Sequence, residues 1–305
     1  MLESLLVPLD GSKFSETSLS LAGHVARSTG ARLHLAHVHV AYEPDQLLAS
    51  TPFQYEGVNM AEYDARHLEQ EQEYLAGLSK RISQDGTCVD AKVLEGPQIA
   101  ESLATYAGQV DADLVVITSH GHSGVSRIWL GSVADEMIRH TTLPLLVSRP
   151  GAEGGADILT VRHILVPLDG SELAERVLDP AADLARATGA RITLAHVVSM
   201  QTALGPRILP LLVDTLEPEL DGAVAYLEET AGALREDGLD VSTRAAHGKA
   251  PALAIARMAK EVNADVIAMA THGYGGLKRA LLGSVADKIL RVSELPLLIM
   301  RPSAA

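Results

Sequence analysis

The stretch Leu6-Val7-Pro8-Leu9-Asp10-Gly11-Ser12 recurs unchanged at residues 165–171. Further segments repeat in the same order along the chain: 29–32 returns at 188–191, 35–38 at 194–197, 131–135 at 283–287, and 143–146 at 295–298. A chain that repeats itself in this way contains two copies of one structural unit. Matching positions are separated by more residues in the early segments than in the late ones, so the first copy is longer than the second by a few residues within one segment. We place this difference in length between residues 41 and 85.

The boundary between the copies lies in a segment rich in glycine, Pro150-Gly151-Ala152-Glu153-Gly154-Gly155-Ala156. Such a composition is typical of a linker. We therefore predict a first domain over residues 1–150, a linker over 151–159 and a second domain over 160–305. The two domains are referred to below as repeat one and repeat two.

The alternation of apolar runs and helical patterns predicts the fold class. Short apolar runs such as 5–7 and 114–117 are typical of buried strands, and the spacing before Gly30 is typical of a helix that ends in a left-handed glycine. Alternating strands and helices form right-handed βαβ units. Each repeat is therefore predicted to be α/β, a doubly wound, open, parallel five-stranded sheet of Rossmann-like layout. Pro180 should delay or kink the matching helix of repeat two.

Composition narrows the classes of partner. Of the 305 residues, 47% are hydrophobic and 3% aromatic, which suits parallel strands covered by helices. The formal charge of -14 disfavours nucleic acid and anionic membranes as partners. The sequence has no apolar run near the roughly 20 residues that span a bilayer, and no secretory pattern. Because Cys88 is the one cysteine, we expect a cytoplasmic protein.

Ligands of open α/β sheets bind beyond the carboxyl ends of the strands. Three segments of each repeat should reach that edge. The candidate binding residues are Pro8, Leu9, Asp10, Val38, Thr118, Gly121, Arg127, Gly131, Ser132 and Val133 in repeat one, and Pro167, Leu168, Asp169, Val197, Ala270, Gly273, Arg279, Gly283, Ser284 and Val285 in repeat two. Peptide N–H groups at the start of the helix after Gly131 or Gly283 offer unpaired donors to an anion.

Several of these groups also have a purely structural interpretation. Ser132 followed by Asp135 is a capping box, in which side chains satisfy the amides that an anion would need. Asp10 before a glycine builds a turn as readily as it accepts a hydrogen bond from a sugar hydroxyl. Arg127 and Arg279 either pair with a phosphate or are solvated loop arginines. The residues by themselves leave each of these alternatives open.

Taken together, the repeated segments resemble the universal stress proteins in a tandem two-domain form. The shared features are Pro-Leu-Asp-Gly-Ser after the first strand, His-Val at the end of the second, a glycine followed after nine residues by Gly-Ser, and a final Leu-Pro-Leu-Leu. The resemblance implies a regulatory stress-response protein that binds ATP with Mg²⁺ and has at most weak ATPase activity. Val38 and Val197 would hold adenine through the backbone, Asp10 and Asp169 would face the ribose, and the glycine-serine loops would wrap the phosphates.

One position departs from the ATP-binding pattern of that family. A glycine is expected three residues before Gly121 and Gly273, where this chain has Thr118 and Ala270. Because threonine adds more bulk than alanine, repeat two is expected to bind more tightly if only one repeat binds. The departure keeps open a scaffold that acts through protein contacts without nucleotide. A slow ATP hydrolase is the other alternative, although the chain has no Walker loop.

Other features of the sequence carry weaker expectations. His37 and His39 share one face of a strand and are either a metal pair or packed histidines. Residues 204–216 form an apolar segment that is a lid, a contact with another chain or part of its own domain. Residues 69–73 carry three glutamates and are expected on the solvated face of a helix.

The final strand of each repeat is expected to pair with its counterpart. The universal stress proteins pair their last strands, and an unpaired apolar edge strand invites aggregation. Residues 145–148 and 297–300 are therefore expected to meet. The repeats would then form an intramolecular pseudo-dimer, with a homodimer of chains as a further option.

Overall fold

The computed structural model describes residues 1–41, 59–119, 130–149, 160–199, 209–271 and 283–302, with side chains from 217 onward in the fifth range. Repeat one contains β1 (Ser4–Pro8), α1 (Ser18–Thr29), β2 (Arg32–His39), α2 (Met60–Ser83), β3 (Val89–Glu95), α3 (Ile99–Gln109), β4 (Leu114–Thr118), α4 (Ser132–His140) and β5 (Leu145–Ser148). Repeat two contains β6 (His163–Leu168), α5 (Glu172–Glu175), α6 (Leu178–Thr188), β7 (Arg191–Ser199), α7 (Leu209–Glu236), β8 (Val241–Gly248), α8 (Pro251–Glu261), β9 (Val266–Ala270), α9 (Ser284–Val292) and β10 (Leu297–Met300).

The described strands form one continuous sheet in the order β3-β2-β1-β4-β5-β10-β9-β6-β7-β8. Within each repeat, all neighbouring strands are parallel. The connections reverse direction between β1 and β4 in repeat one, and between β6 and β9 in repeat two. The predicted class, α/β with doubly wound parallel sheets, is confirmed.

Two layers of helices cover the sheet. Helices α1, α2, α6 and α7 pack on one face, where Leu75 and Leu227 are fully buried. Helices α3, α4, α8 and α9 pack on the other face, where Met137 and Ile289 are fully buried. Because β1 leads to one face and β4 to the other, their carboxyl ends border a crevice, which is where ligands of such sheets bind.

The two halves of the sheet meet at the last strand of each repeat. β5 and β10 pair antiparallel, with Leu146 opposite Leu298. The expected contact between the final strands is confirmed. Because this pair is antiparallel, the carboxyl ends of the strands lie at opposite edges of the sheet in the two repeats.

Each repeat also supplies an arginine to the last helix of the other. Arg149, just after β5, donates hydrogen bonds to the main-chain carbonyls of Leu290 and Ser293 at the end of α9. Arg301, just after β10, donates to the carbonyl of Arg139 at the end of α4. Cations stabilise the carboxyl ends of helices, where carbonyls lack partners within the helix. Each arginine therefore links the last strand of its own repeat to the last helix of the other repeat.

Three local expectations can be compared with the structure. Gly30 ends α1 in the left-handed region at a φ of 76°, as predicted. Pro180 lies in the first turn of α6, so the predicted late start is confirmed. Residues 69–73 lie on α2, but the expectation that they are all solvated is wrong for Glu71. Its side chain is 22% exposed and faces two histidines of β2.

Candidate functional site

Parallel pairing brings the predicted residues of each repeat to one edge of the sheet. Pro8 ends β1 beside Ala36 of β2, and Thr118 ends β4 beside Ser148 of β5. Repeat two repeats this arrangement at its own edge. The residues gathered there are Pro8, Leu9, Asp10, Val38, Thr118, Gly131, Ser132 and Val133 in repeat one, and Pro167, Leu168, Asp169, Val197, Ala270, Gly283, Ser284 and Val285 in repeat two.

The first turn of α4 has no side-chain cap. Gly131 is the N-cap residue, and Ser132 is the first helical residue. The capping-box interpretation of Ser132 and Asp135, one of two alternatives that the sequence left open, is therefore wrong, because the serine stands one position too late to cap. Asp135 donates its main-chain N–H to the Gly131 carbonyl at 2.9 Å, whereas the N–H groups of residues 132–134 have no partner within the described part of the chain. With respect to the described residues, these three donors are available to another acceptor.

Helix α9 presents the same arrangement in repeat two. Gly283 is its N-cap residue, with no side-chain cap, and Asp287 donates to the Gly283 carbonyl at 3.0 Å. Gly283 has a φ of 74° and a ψ of 147°, a region that residues with a Cβ rarely adopt. Gly131 has a φ of -59° and a ψ of 150°, which any residue can adopt. Repeat two therefore requires its glycine for conformational reasons, and repeat one does not.

An acidic residue in the first turn of each helix is paired within the helix. Asp135 lies 2.7 Å from a guanidinium nitrogen of Arg139, and Asp287 lies 3.0 Å from one of Arg291. Each arginine is one turn closer to the carboxyl end. The pairing reduces the repulsion that a lone carboxylate would exert on an anion near the helix start.

Asp10 and Asp169 build the turns after β1 and β6. The Oδ1 atom of Asp10 accepts hydrogen bonds from the N–H of Ser12 at 3.0 Å and from its hydroxyl at 2.6 Å. Asp169 accepts the same pair of bonds from Ser171 at 3.0 and 2.5 Å. The turn interpretation of the sequence is thus realised in both repeats, and both carboxylates are exposed at the sheet edge.

Val38 and Val197 lie near the ends of β2 and β7. A glycine lies at the end of each adjoining strand: Gly96 just after β3, and Gly248 as the last residue of β8. A Cβ added to Gly248 would lie 2.8 Å from Cγ1 of Val197, closer than real contacts allow. A Cβ at Gly96 would clash with the Ser102 side chain. Sequence reasoning missed these two glycines. They occupy matching positions just after β3 and at the end of β8, so the internal repeat could have revealed them.

Thr118 is buried and forms a cluster of hydroxyl groups that repeat two lacks. Its Oγ1 lies 3.2 Å from the Ser148 hydroxyl, 3.4 Å from the Thr17 hydroxyl and 3.4 Å from the Ser15 carbonyl. The matching positions of repeat two include Ala270. The side chain of Thr118 therefore lies between the turn after β1 and the end of β5, beside the crevice of repeat one.

Other predicted residues fall outside the described part of the chain. These are Gly121 and Arg127 in repeat one, Gly273 and Arg279 in repeat two, and residues 204–208 of the apolar segment, whose residues 209–216 are described only in their backbone. Their roles stay predictions.

His37 and His39 contact carboxylates of α2. Glu71 bridges them, with one oxygen 3.2 Å from His37 Nε2 and the other 2.8 Å from His39 Nδ1. Asp64 lies 3.3 Å from His39 Nε2, close enough for an ion pair but poorly aligned for a hydrogen bond. Burial lowers the pKa of His39, but Glu71 and Asp64 together raise it above its ordinary value.

The described residues contain no group of three or more histidine, cysteine or acidic side chains arranged to hold a metal ion. Packed, hydrogen-bonded histidines, one of the two sequence alternatives, describe His37 and His39 in this structure.

The fold and the repeated edge sites can now be compared with known proteins. The profile of the universal stress protein family matches residues 1–149 and, separately, 160–301. The chain belongs to the universal stress protein family. Its two successive matches agree with a tandem two-domain form, and the resemblance found in the sequence is confirmed.

Universal stress proteins similar to this chain include some that match its full length and others that match about half of it. One from Mycolicibacterium smegmatis is 24% identical over 300 residues, covering 98% of this chain and 97% of the relative. Universal stress protein YxiE of Bacillus subtilis is 32% identical over 145 residues, covering 45% of this chain and 97% of the relative. The crystal structure of a universal stress protein from Archaeoglobus fulgidus covers 98% of both chains with a TM-score of 0.68 at 20% identity, which shows a shared fold.

Among the helices that the structure describes in this universal stress protein, none is both long and apolar enough to cross a bilayer.

Proposed function

We propose that this chain is a cytoplasmic regulatory protein of the stress response that binds an adenine nucleotide at the carboxyl edge of each repeat. The observation that carries the proposal is the uncapped first turn of α4 and of α9. In each helix a glycine replaces the capping side chain, and main-chain amides without a side-chain cap among the described residues stand at the positive end of the helix dipole. A polyphosphate supplies the acceptors that these amides lack.

The same edge offers groups for the rest of the nucleotide. Asp10 and Asp169 keep exposed carboxylates beside the crevice, where a ribose hydroxyl can donate to them. The backbone of Val38 and of Val197 would hold the adenine, and a side chain at position 248 would crowd Val197. These roles follow the pattern of the family and fit the positions of the residues.

Mg²⁺ would accompany the nucleotide and not occupy a protein site of its own. Magnesium bound with a nucleotide is usually held by phosphate oxygens, waters and one or two protein groups. The hydroxyls of Ser132 and Ser284 are exposed at the helix starts and are suitable protein groups. The ion would offset phosphate charge in a protein whose formal charge is -14.

Repeat two should bind more tightly than repeat one. The hydroxyl cluster around Thr118 adds bulk and hydrogen bonds beside the crevice of repeat one, and Ala270 forms no such cluster. The expected order of affinity therefore follows from the size and bonding of these two residues.

The amides can be tested with substitutions that remove one donor and keep the helix. Proline is tolerated at the first position of a helix, and the ψ of 150° at Gly131 suits a residue before proline. Ser132→Pro and Ser284→Pro each remove the serine N–H and hydroxyl, whereas Ser132→Ala and Ser284→Ala remove the hydroxyl alone. Isothermal titration calorimetry with Mg-ATP measures the binding of each variant.

We expect each alanine variant to keep most of its affinity and each proline variant to lose roughly tenfold to a hundredfold, the value of one charge-assisted hydrogen bond. Equal affinity of the proline and wild-type proteins would remove the amides from the proposal. The absence of any saturable heat in the wild type would leave a scaffold that acts through its surface.

A further inference from the structure

The two repeats carry different side chains on one face of the second strand, beneath the long helix that follows it. In repeat one these elements are β2 and α2, and in repeat two they are β7 and α7. His37 of β2 corresponds to His196 of β7, and Tyr74 of α2 corresponds to Tyr226 of α7. The tyrosine hydroxyls donate to matching glutamates, to Glu16 at 3.4 Å in repeat one and to a glutamate of α5 at 2.7 Å in repeat two. The strand and the helix are thus in the same register in both repeats, which allows a comparison position by position.

In repeat one, two side chains fill the space next to His37. Glu71 lies one turn before Tyr74, with one oxygen 3.2 Å from Nε2 of His37 and the other hydrogen-bonded to Nδ1 of His39. The side chain of His39 is 96% shielded from solvent. The Nδ1 atom of His37 is also paired, at 2.9 Å, with the Leu9 carbonyl. All the polar atoms of the His37 ring therefore have partners.

In repeat two, both filling side chains are replaced by smaller ones. Val198 stands in place of His39, and Ala223 in place of Glu71. The result is an open cavity of about 390 Å³, lined by these two residues, His196, Tyr226, Gly170 and Glu219. A volume of this size is within the range of pockets that hold small molecules.

His196 lacks the glutamate partner of its counterpart, because Ala223 cannot supply the carboxylate that lies 3.2 Å from Nε2 of His37 in repeat one. The Nδ1 atom of His196 is buried and has no hydrogen-bond partner within the described residues, unlike Nδ1 of His37. The ring lies edge-on to Tyr226 with a centroid distance of 6.2 Å. A ligand carboxylate in the cavity would replace, for the Nε2 atom of His196, the acceptor that Glu71 provides to His37.

We propose that this cavity of repeat two binds a small carboxylate that carries a planar heteroaromatic ring. Repeat one supplies the template, because there the same space holds the carboxylate of Glu71 against His37 and the imidazole ring of His39. A ligand with both groups would place its carboxylate against His196 and its ring against Val198. A basic ring nitrogen would face Glu219 at the rim, as His39 faces a second carboxylate, Asp64, in repeat one.

The proposed pocket differs from the proposed phosphate site. Ala223 and Tyr226 belong to α7, which covers the opposite face of the sheet from α9 and its uncapped amides. The cavity approaches the nucleotide edge through Gly170, which follows Asp169 in the turn after β6. Occupancy of the pocket therefore does not require nucleotide, and its test is independent of the proposed function.

The test uses the full chain with isotopically labelled histidine and imidazolepropionate as the probe. Ring signals of His196, assigned with His196→Gln, are followed by NMR during titration. We expect a saturable shift, with acetate and imidazole as separate fragments binding at least tenfold more weakly. No saturable shift, or equal binding of the separate fragments, would overturn the proposal.

Two double variants provide matched controls. Val198→His with Ala223→Glu rebuilds the filling of repeat one and should weaken binding at least tenfold. His39→Val with Glu71→Ala opens the same space in repeat one and should create a new response at His37, a gain that misfolding does not produce. Unchanged binding in the filled variant, or no new response in the opened variant, would contradict the assignment.

Discussion

The two N-cap glycines allow a prediction in which the same substitution has different consequences in the two repeats. An alanine at position 283 would be held at a φ of 74° and a ψ of 147°, which costs about 1–3 kcal/mol in backbone strain. An alanine at position 131 would have a φ of -59°, where no such strain arises. Alanine is a poorer N-cap than glycine at both positions, so that effect cancels in the comparison. Gly283→Ala should therefore be less stable than Gly131→Ala by about 1–3 kcal/mol.

Thermal unfolding measures this difference. For domains of this size, 1 kcal/mol changes the Tm by roughly 2–4 °C, so Gly283→Ala should melt about 2–12 °C below Gly131→Ala. The strain also disturbs the first turn of α9. Calorimetry should therefore show that repeat two binds Mg-ATP more weakly in Gly283→Ala than in Gly131→Ala. Equal melting temperatures for the two variants would refute the argument that Gly283 is required by its backbone conformation.

Three further predictions concern the site and the junction of the repeats. Thr118→Ala is tested in a protein whose second site is weakened by Ser284→Pro. It should raise the affinity of repeat one for Mg-ATP several-fold in calorimetry, because the hydroxyl cluster is removed. Unchanged affinity would exclude Thr118 as the cause of the difference between the repeats. His39 has a raised pKa in the folded protein, so its stabilisation is complete below its ordinary pKa of 6.5 and is lost as the pH rises through the folded value. The Tm advantage of wild type over His39→Gln should therefore shrink as the pH is raised above 6.5, and a constant gap would contradict the ion pairs. Arg149→Met removes the donors to two carbonyls at the end of α9 and should cost about 2–3 kcal/mol, seen as a lower Tm; a loss under 0.5 kcal/mol would show that the contact is dispensable.

The fold was largely predictable from sequence because its signals are local and occur twice. The identical stretch at 6–12 and 165–171 marks the first strand and its turn, and the glycine at position 30 marks the end of the first helix. Such signals depend on backbone preferences of short segments. The α/β class and the parallel, doubly wound layout followed from the alternation of these segments, whereas the order of the ten strands came from the structure.

Two interpretations of the sequence were wrong because a small shift of a residue's position on a helix changes what its side chain contacts. Ser132 followed by Asp135 has the spacing of a capping box, but the helix begins at the serine, so the cap is a glycine. Glu71 sits in an acidic stretch that indicates a solvated helix face, yet α2 turns it toward two histidines. In both cases the packing of the helix against the sheet sets the register, and the local pattern does not contain that information.

The sequence alone determined that this chain is a duplicated α/β protein of the universal stress protein type, because repeated strands, turns and glycines encode local geometry. Only the tertiary structure decided which amides are uncapped, where Thr118 forms its hydrogen bonds, and that the smaller residues of repeat two leave a cavity beside His196. These features depend on atoms that are distant in the chain and adjacent in space. Two sequences with the same pattern of strands and helices can therefore differ in the groups that they leave free to bind a ligand.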